Sequence, residues 1–185
     1  MALTPSTSLP IGTKAPNFHI RDVISDNYYS LNDLKSDRAT VIMFICNHCP
    51  YVIHVNAELV RMAKEYRNKG VSFIAISSND ITAYPEDAPD KMSIVAKVLR
   101  YPFPYLYDKY QEVAKSYDAA CTPDFYVFDG DLALTYRGRL DDSSPGNDVG
   151  LTGADLRAAI DATLSGNEIS DQHPSMGCGI KWKQV

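Results

Sequence analysis

Two cysteines three residues apart, Cys46 and Cys49, stand with Asn47-His48 between them and Pro50 directly after. A thiolate, unlike a thiol, is a nucleophile and a metal ligand, so a close pair points to redox exchange or to metal binding. The pair follows an unbroken apolar, β-branched run, Thr40–Ile45. It precedes a stretch in which Tyr51, Val55, Leu59, Met62 and Tyr66 recur at helical spacing. Pro50 suits the first turn of that helix, which puts Cys49 at or next to its N-cap. Unpaired backbone N–H groups there favour the ionised sulfur and lower its pKa. A protonated His48 would add to that effect and raise the reduction potential of the dithiol.

The elements that must hold this junction are legible on either side of it. Leu9–Pro16 is a turn-rich lead-in, and strands over Asn17–Arg21 and Tyr28–Leu31 are expected as an N-terminal hairpin around the polar Asp22–Asn27 connection. Thr40–Ile45 reads as a central strand covered on both faces. The helix runs on to a stop at Gly70, and Val71–Ile76 gives a second buried strand. Strand, helix, strand in that order is the right-handed crossover of a parallel sheet, so the fold class is α/β. Helices follow over Asp90–Leu99 and near Gln111–Tyr117. Phe125–Phe128 and Leu132–Tyr136 flank Asp129-Gly130-Asp131 as a hairpin, and Ala154–Leu164 closes with a helix. Gly138–Gly153 is a long polar loop. Ser165–Val185 has no regular period, yet it holds Cys178 and Trp182, and it is expected to fold back as an ordered tail.

The 185 residues suit one domain that needs no metal or disulfide to fold. A net charge of −5 argues against a nucleic-acid surface, which wants clustered Lys and Arg. No apolar stretch is long enough to span a bilayer, and Met1–Gly12 lacks the basic start and apolar run of a signal peptide. A cytoplasmic location is expected, where the four cysteines are not structural bridges and the close pair is redox-active or metal-binding.

The succession of elements, with Cys-x-x-Cys at a strand-to-helix junction and Thr122-Pro123 before an antiparallel hairpin, resembles the thioredoxin-like superfamily over Leu9 to Leu164. The resemblance implies a central mixed sheet flanked by helices over residues 1–164, with residues 165–185 as the packed tail. It also implies a cis bond at Pro123, with Thr122 and Pro123 facing the active sulfur and holding the substrate chain. The string Phe44–Val52 and the late Gly177–Trp182 are similar to a peroxiredoxin-like branch of the alkyl hydroperoxide reductase and thiol-specific antioxidant (redoxin) family. Counted from Phe44, the attacking position of thioredoxins falls on Cys49, with Cys46 upstream as a resolving partner. The Pro-x-x-x-Thr-x-x-Cys pattern of peroxiredoxins is missing: Cys46 stands three residues before Cys49, and Met43 three before Cys46.

These readings combine into a thiol-disulfide oxidoreductase. Cys49 attacks, Cys46 resolves, a dithiol donor reduces the product, and no cofactor is required. Its substrate is a disulfide-bearing protein or a small thiol or peroxide. One rival has Cys49 reduce a hydroperoxide through a sulfenic acid that Cys46, Cys121 or Cys178 resolves. Another has Cys46, Cys49 and a nearby His bind zinc or copper. Cys121 reads first as a packed core thiol. Tyr51, Phe103, Tyr105, Phe125, Tyr126 and Trp182 read as core, and the acidic run Glu86–Asp90 as a solvated loop. Asp141, Asp142 and Asp148 lack the spacing of an EF-hand loop.

Overall fold

A computed structural model describes residues 3–184. The chain enters through β1 (Leu3–Pro5) and then forms the antiparallel hairpin of β2 (His19–Asp22) and β3 (Tyr28–Ser30). The short helix α1 (Leu31–Leu34) is fixed by a capping box: Ser30 accepts from the Asp33 N–H, and the Asp33 carboxylate accepts from the Ser30 N–H. β4 (Ala39–Phe44) is buried along its whole length, as its continuous apolar run requires. α2 (Pro50–Arg67) crosses to β5 (Val71–Ser77), which pairs with β4 in parallel, Val41 opposite Phe73 and Phe44 opposite Ile76.

A 3-10 turn (Pro85–Asp87) leads into α3 (Pro89–Leu99), β6 (Tyr105–Tyr107), α4 (Glu112–Ser116) and the two-residue β7 (Cys121–Thr122). The hairpin β8 (Asp124–Asp129) and β9 (Leu134–Gly138) follows, then α5 (Ala154–Ser165) and β10 (Met176–Gly179). The main sheet has the order β3-β2-β6-β5-β4-β8-β9. β4, β5 and β6 run parallel and the other pairs antiparallel, so the sheet is mixed. The α/β, thioredoxin-like architecture with an N-terminal hairpin is present as the sequence implies.

Period-two alternation in β4 divides the core. Val41 and Met43 join Leu59 and Met62 of α2 and Leu156 and Ile160 of α5 on one face. Ile42 and Phe44 join Val113 of α4 with Tyr117 and Tyr126 on the other. Phe103, Tyr105, Phe125 and Tyr126 are core as expected, whereas Tyr51 is half-buried and Trp182 is exposed.

Among the differences from the sequence reading, three concern β6, β9 and the segment after α5. β6 was not expected as a strand: its three residues are too few for a period, and its pairing comes from β5 and β2. β9 starts at Leu134 because Leu132 is in the left-handed region (φ 60°) of a turn closed by its N–H to the Asp129 carbonyl. The segment after α5 contributes β10, which lies between β1 and β7 in a second, three-stranded sheet. No helix among the described residues is long and apolar enough to cross a membrane.

A buried ion pair within the β8–β9 hairpin also ties down the N-terminal segment at Thr7. Arg137 Nη2 lies 3.0 Å from Asp124 Oδ2, both side chains being almost wholly buried. Arg137 also donates to Thr7 Oγ1 and to the Asp118 carbonyl. Burial pushes the Asp124 carboxyl up to about 6, against the pull of Arg137.

Candidate active site

β4 ends at Phe44, and the four residues Ile45–His48 turn the chain into α2. Cys49 is the N-cap of that helix, in extended conformation (φ −72°, ψ 122°), with Pro50 in the first turn. Across from it, the Thr122–Pro123 peptide bond between β7 and β8 is cis.

Thr122 gathers three sulfurs. Its hydroxyl lies 3.4 Å from Cys46 Sγ, and its carbonyl oxygen 3.3 Å from Cys49 Sγ. Its strand partner is Cys178, whose sulfur is 2.9 Å from that of Cys49. All four cysteines are free thiols and all are buried. Cys121, next to Thr122, has no hydrogen bond to Cys49 among the described residues; burial alone is the main cause that pushes its pKa up. The structure thus brings Cys46, Cys49, Thr122, Pro123 and Cys178 together and leaves Cys121 in the packing.

Electrostatics separate the thiols. The Cys49 pKa falls to about 5, chiefly because Cys46 hydrogen-bonds to the thiolate. Burial opposes this, while Cys178 and the backbone N–H groups of Val52 and Cys178 assist. Cys46 is pushed well above its ordinary value, by its hydrogen bond to Cys49, by burial and by the charge of Asp87. Cys178 is pushed up to about 12, by burial first and then by Cys49. The three sulfurs are therefore pushed apart, Cys49 towards the thiolate and Cys46 and Cys178 towards the thiol.

His48 is occupied elsewhere. Its Nδ1 is 2.6 Å from Asp87 Oδ2, and its ring stacks on Tyr84 at 5.0 Å. It is not among the groups that stabilise the Cys49 thiolate, the task foreseen for it. Asp87 corrects the reading of Glu86–Asp90 as solvated, because it is fully buried. Its Oδ1 accepts from the Asn47 N–H at 2.7 Å, and its Oδ2 from Asn79 Nδ2 at 2.7 Å. Asn47 in turn donates to the Glu86 carbonyl and accepts from the Tyr105 hydroxyl. The active loop is therefore tied to the 3-10 turn, and a polar, charged run gave no signal of it.

Cys46, His48 and Asp87 present ligand atoms within 4.8 Å of one another. The set differs from the Cys46–Cys49–His trio expected for a metal, and both Asp87 oxygens already accept hydrogen bonds. Beside Pro123 a cleft of about 260 Å³ is bordered by Tyr51, His54, Phe125, Ser143 and Met176.

The family model described as AhpC/TSA family matches residues 11–137. No curated protein matches the chain. Among solved structures, an uncharacterized conserved protein from Geobacillus kaustophilus is 59% identical, covers 100% of this chain and 98% of its own, and superposes with a TM-score of 0.98. A hypothetical protein from Sinorhizobium meliloti 1021 is 43% identical over 98% of this chain and 100% of its own, with a TM-score of 0.95. A secreted Mycobacterium tuberculosis disulfide oxidoreductase is 16% identical, covering 78% of this chain and 95% of its own at a TM-score of 0.60, which shows the shared fold.

Proposed function

The chain belongs to the AhpC/TSA family, and from the site it builds we propose that it is a thiol-disulfide oxidoreductase in which Cys49 is the attacking thiolate. The observation that carries this reading is the position of Cys49: an N-cap sulfur with a pKa of about 5, facing the cis Thr122–Pro123 bond. A thiolate in that state is ionised at neutral pH yet still nucleophilic.

Cys49 attacks one sulfur of a substrate disulfide, and the other sulfur leaves as a thiolate. A second thiol then attacks the Cys49 sulfur, releases the rest of the substrate and leaves an intramolecular disulfide. An external dithiol reduces that bond and resets the site. Cys178, whose sulfur is 2.9 Å from that of Cys49, and Cys46, whose thiol lowers the Cys49 pKa, supply the candidates for the second thiol.

The test is reduction of a small disulfide by the purified protein with a dithiol as electron source. Cys49→Ser is expected to abolish turnover; a Cys49→Ser protein with full activity overturns the reading.

The complete burial of Cys49 favours a second reading, in which the oxidant is a hydroperoxide. The thiolate would take one oxygen, giving Cys49 sulfenic acid and an alcohol, and the second thiol would displace water to form the same disulfide. Trapping a Cys49 sulfenic acid after one equivalent of hydrogen peroxide would support it, whereas a thiol untouched by peroxide but oxidised by a disulfide would exclude it.

A further inference from the structure

An extended chain lying beside Cys49 would pair with the edge of β7, since Thr122 supplies the carbonyl that faces the sulfur. That edge is already taken by β10, with Cys178 opposite Thr122 and Gly179 opposite Cys121. β1 covers the other side of β10, with Leu3 opposite Cys178. Glycines flanking Cys178 allow the close fit. A Cβ on Gly177 would lie 2.1 Å from the Thr122 carbonyl oxygen, and one on Gly179 2.9 Å from Thr4 Oγ1.

The strand is anchored at both ends. Before it, the Ser6 N–H donates to the Ser175 carbonyl and the Arg139 N–H to the His173 carbonyl, at 2.9 and 2.8 Å. After it, the Ile180 N–H donates to the Ala120 carbonyl and the Lys181 N–H to Asn79 Oδ1, both at 2.9 Å. Cys178 is therefore held where the cysteine of a bound substrate strand would stand, with its sulfur 2.9 Å from that of Cys49.

We propose that β10 is a built-in stand-in for a substrate strand, that Cys178 is the thiol resolving the mixed disulfide on Cys49, and that the site consequently serves small disulfides rather than extended polypeptide ones. This rests on the reading of Cys49 as the attacking thiolate. Cys49 S⁻ attacks R–S–S–R, forming Cys49–S–S–R and releasing RS⁻. The Cys178 thiol passes its proton to that thiolate and attacks the Cys49 sulfur, forming Cys49–S–S–Cys178 and releasing the second RS⁻. Two electrons go from the protein to the disulfide, and the external dithiol returns them.

The surrounding charges favour Cys178 over Cys46 for this step. Once Cys49 is in the mixed disulfide its charge is gone, and with it a cause that keeps both Cys46 and Cys178 protonated; what then differs is Lys181, which still eases ionisation of Cys178. Cys46 retains Asp87 beside it, which opposes ionisation. Cys46 is then the thiol that keeps its own proton and, by hydrogen bonding, favours the Cys49 anion before attack.

The experiment uses the full chain and cystamine, a small linear disulfide, followed by mass mapping of alkylated peptides. The wild-type protein is expected to end with a Cys49–Cys178 disulfide. Cys178→Ser is expected to lose that bond and to accumulate a cysteamine adduct on Cys49, and Cys46→Ser still to form Cys49–Cys178. A Cys46–Cys49 disulfide in the wild type, or a Cys178→Ser protein that clears the adduct as fast as wild type, overturns the role of Cys178 and leaves Cys49 as nucleophile. Absence of any Cys49 adduct in Cys178→Ser, with no disulfide in the wild type, overturns both readings. With insulin in place of cystamine, no insulin-chain adduct on Cys49 is expected in Cys178→Ser; formation as fast as the cystamine adduct overturns the exclusion of polypeptides.

Discussion

Cys49 owes its low pKa to thiols that keep their own protons, Cys46 first and Cys178 after it. Its thiolate should be present above pH about 5 and lost as the pH falls through that value, which thiolate ultraviolet absorbance against pH would record. Cys46→Ala removes the largest stabilising contact, so the inflection is expected to move upward, towards the ordinary thiol value of about 9. An unmoved inflection would show that Cys178 and the backbone N–H groups of Val52 and Cys178 suffice without Cys46. Asp87 acts at the same scale without touching the sulfur. Asp87→Ala leaves the Asn47 N–H and the Asn79 amide without their buried acceptor. It is expected to cost about 1–3 kcal/mol for each group left unpaired, measurable by urea unfolding. Neither Cys49 at the N-cap nor its partner thiol at Cys46 required tertiary information to find. Asp87 did, because acidic residues next to prolines resemble a solvated turn until the fold buries one of them.

At the scale of elements, α2 aims the sulfur and β10 covers it. α2 is held to the sheet by Leu59 and Met62, both fully buried. Leu59→Ala is expected to destabilise the protein by about 2–5 kcal/mol, read from the denaturation midpoint, through lost transfer energy and the cavity left behind. β10 is set by backbone closeness more than by apolar contact. Gly177→Val would drive a side chain into the Thr122 carbonyl, so β10 must shift away from β7. Alkylation of Cys49 by iodoacetamide is expected to quicken by about tenfold or more, which corresponds to easing a local opening by roughly 1.4 kcal/mol. An unchanged rate would show that β10 does not limit access to the sulfur.

The molecule as a whole is tied by contacts that cross its length, and Arg137, paired with Asp124 inside the β8–β9 hairpin, also holds Thr7 of the N-terminal segment. Arg137→Met keeps the volume but strands the Asp124 carboxylate, and a loss of about 3–5 kcal/mol in unfolding free energy is expected. The residue pattern alone determined the α/β class, the crossover β4-α2-β5 and the seat of Cys49. Each of these depends on neighbours close in sequence: apolar period, proline at the first helical turn, and the field of the helix end. The short strands β6 and β10 escaped it, since three or four residues carry no period and their pairing is supplied by distant partners. Only the tertiary structure decided which sulfur faces Cys49. Cys178 lies 129 residues away along the chain, and its place is fixed by the register of β10 on β7 and by two glycines that let three backbones meet. Such a meeting is a property of packed segments, whereas the reactivity it serves is written locally at the start of one helix.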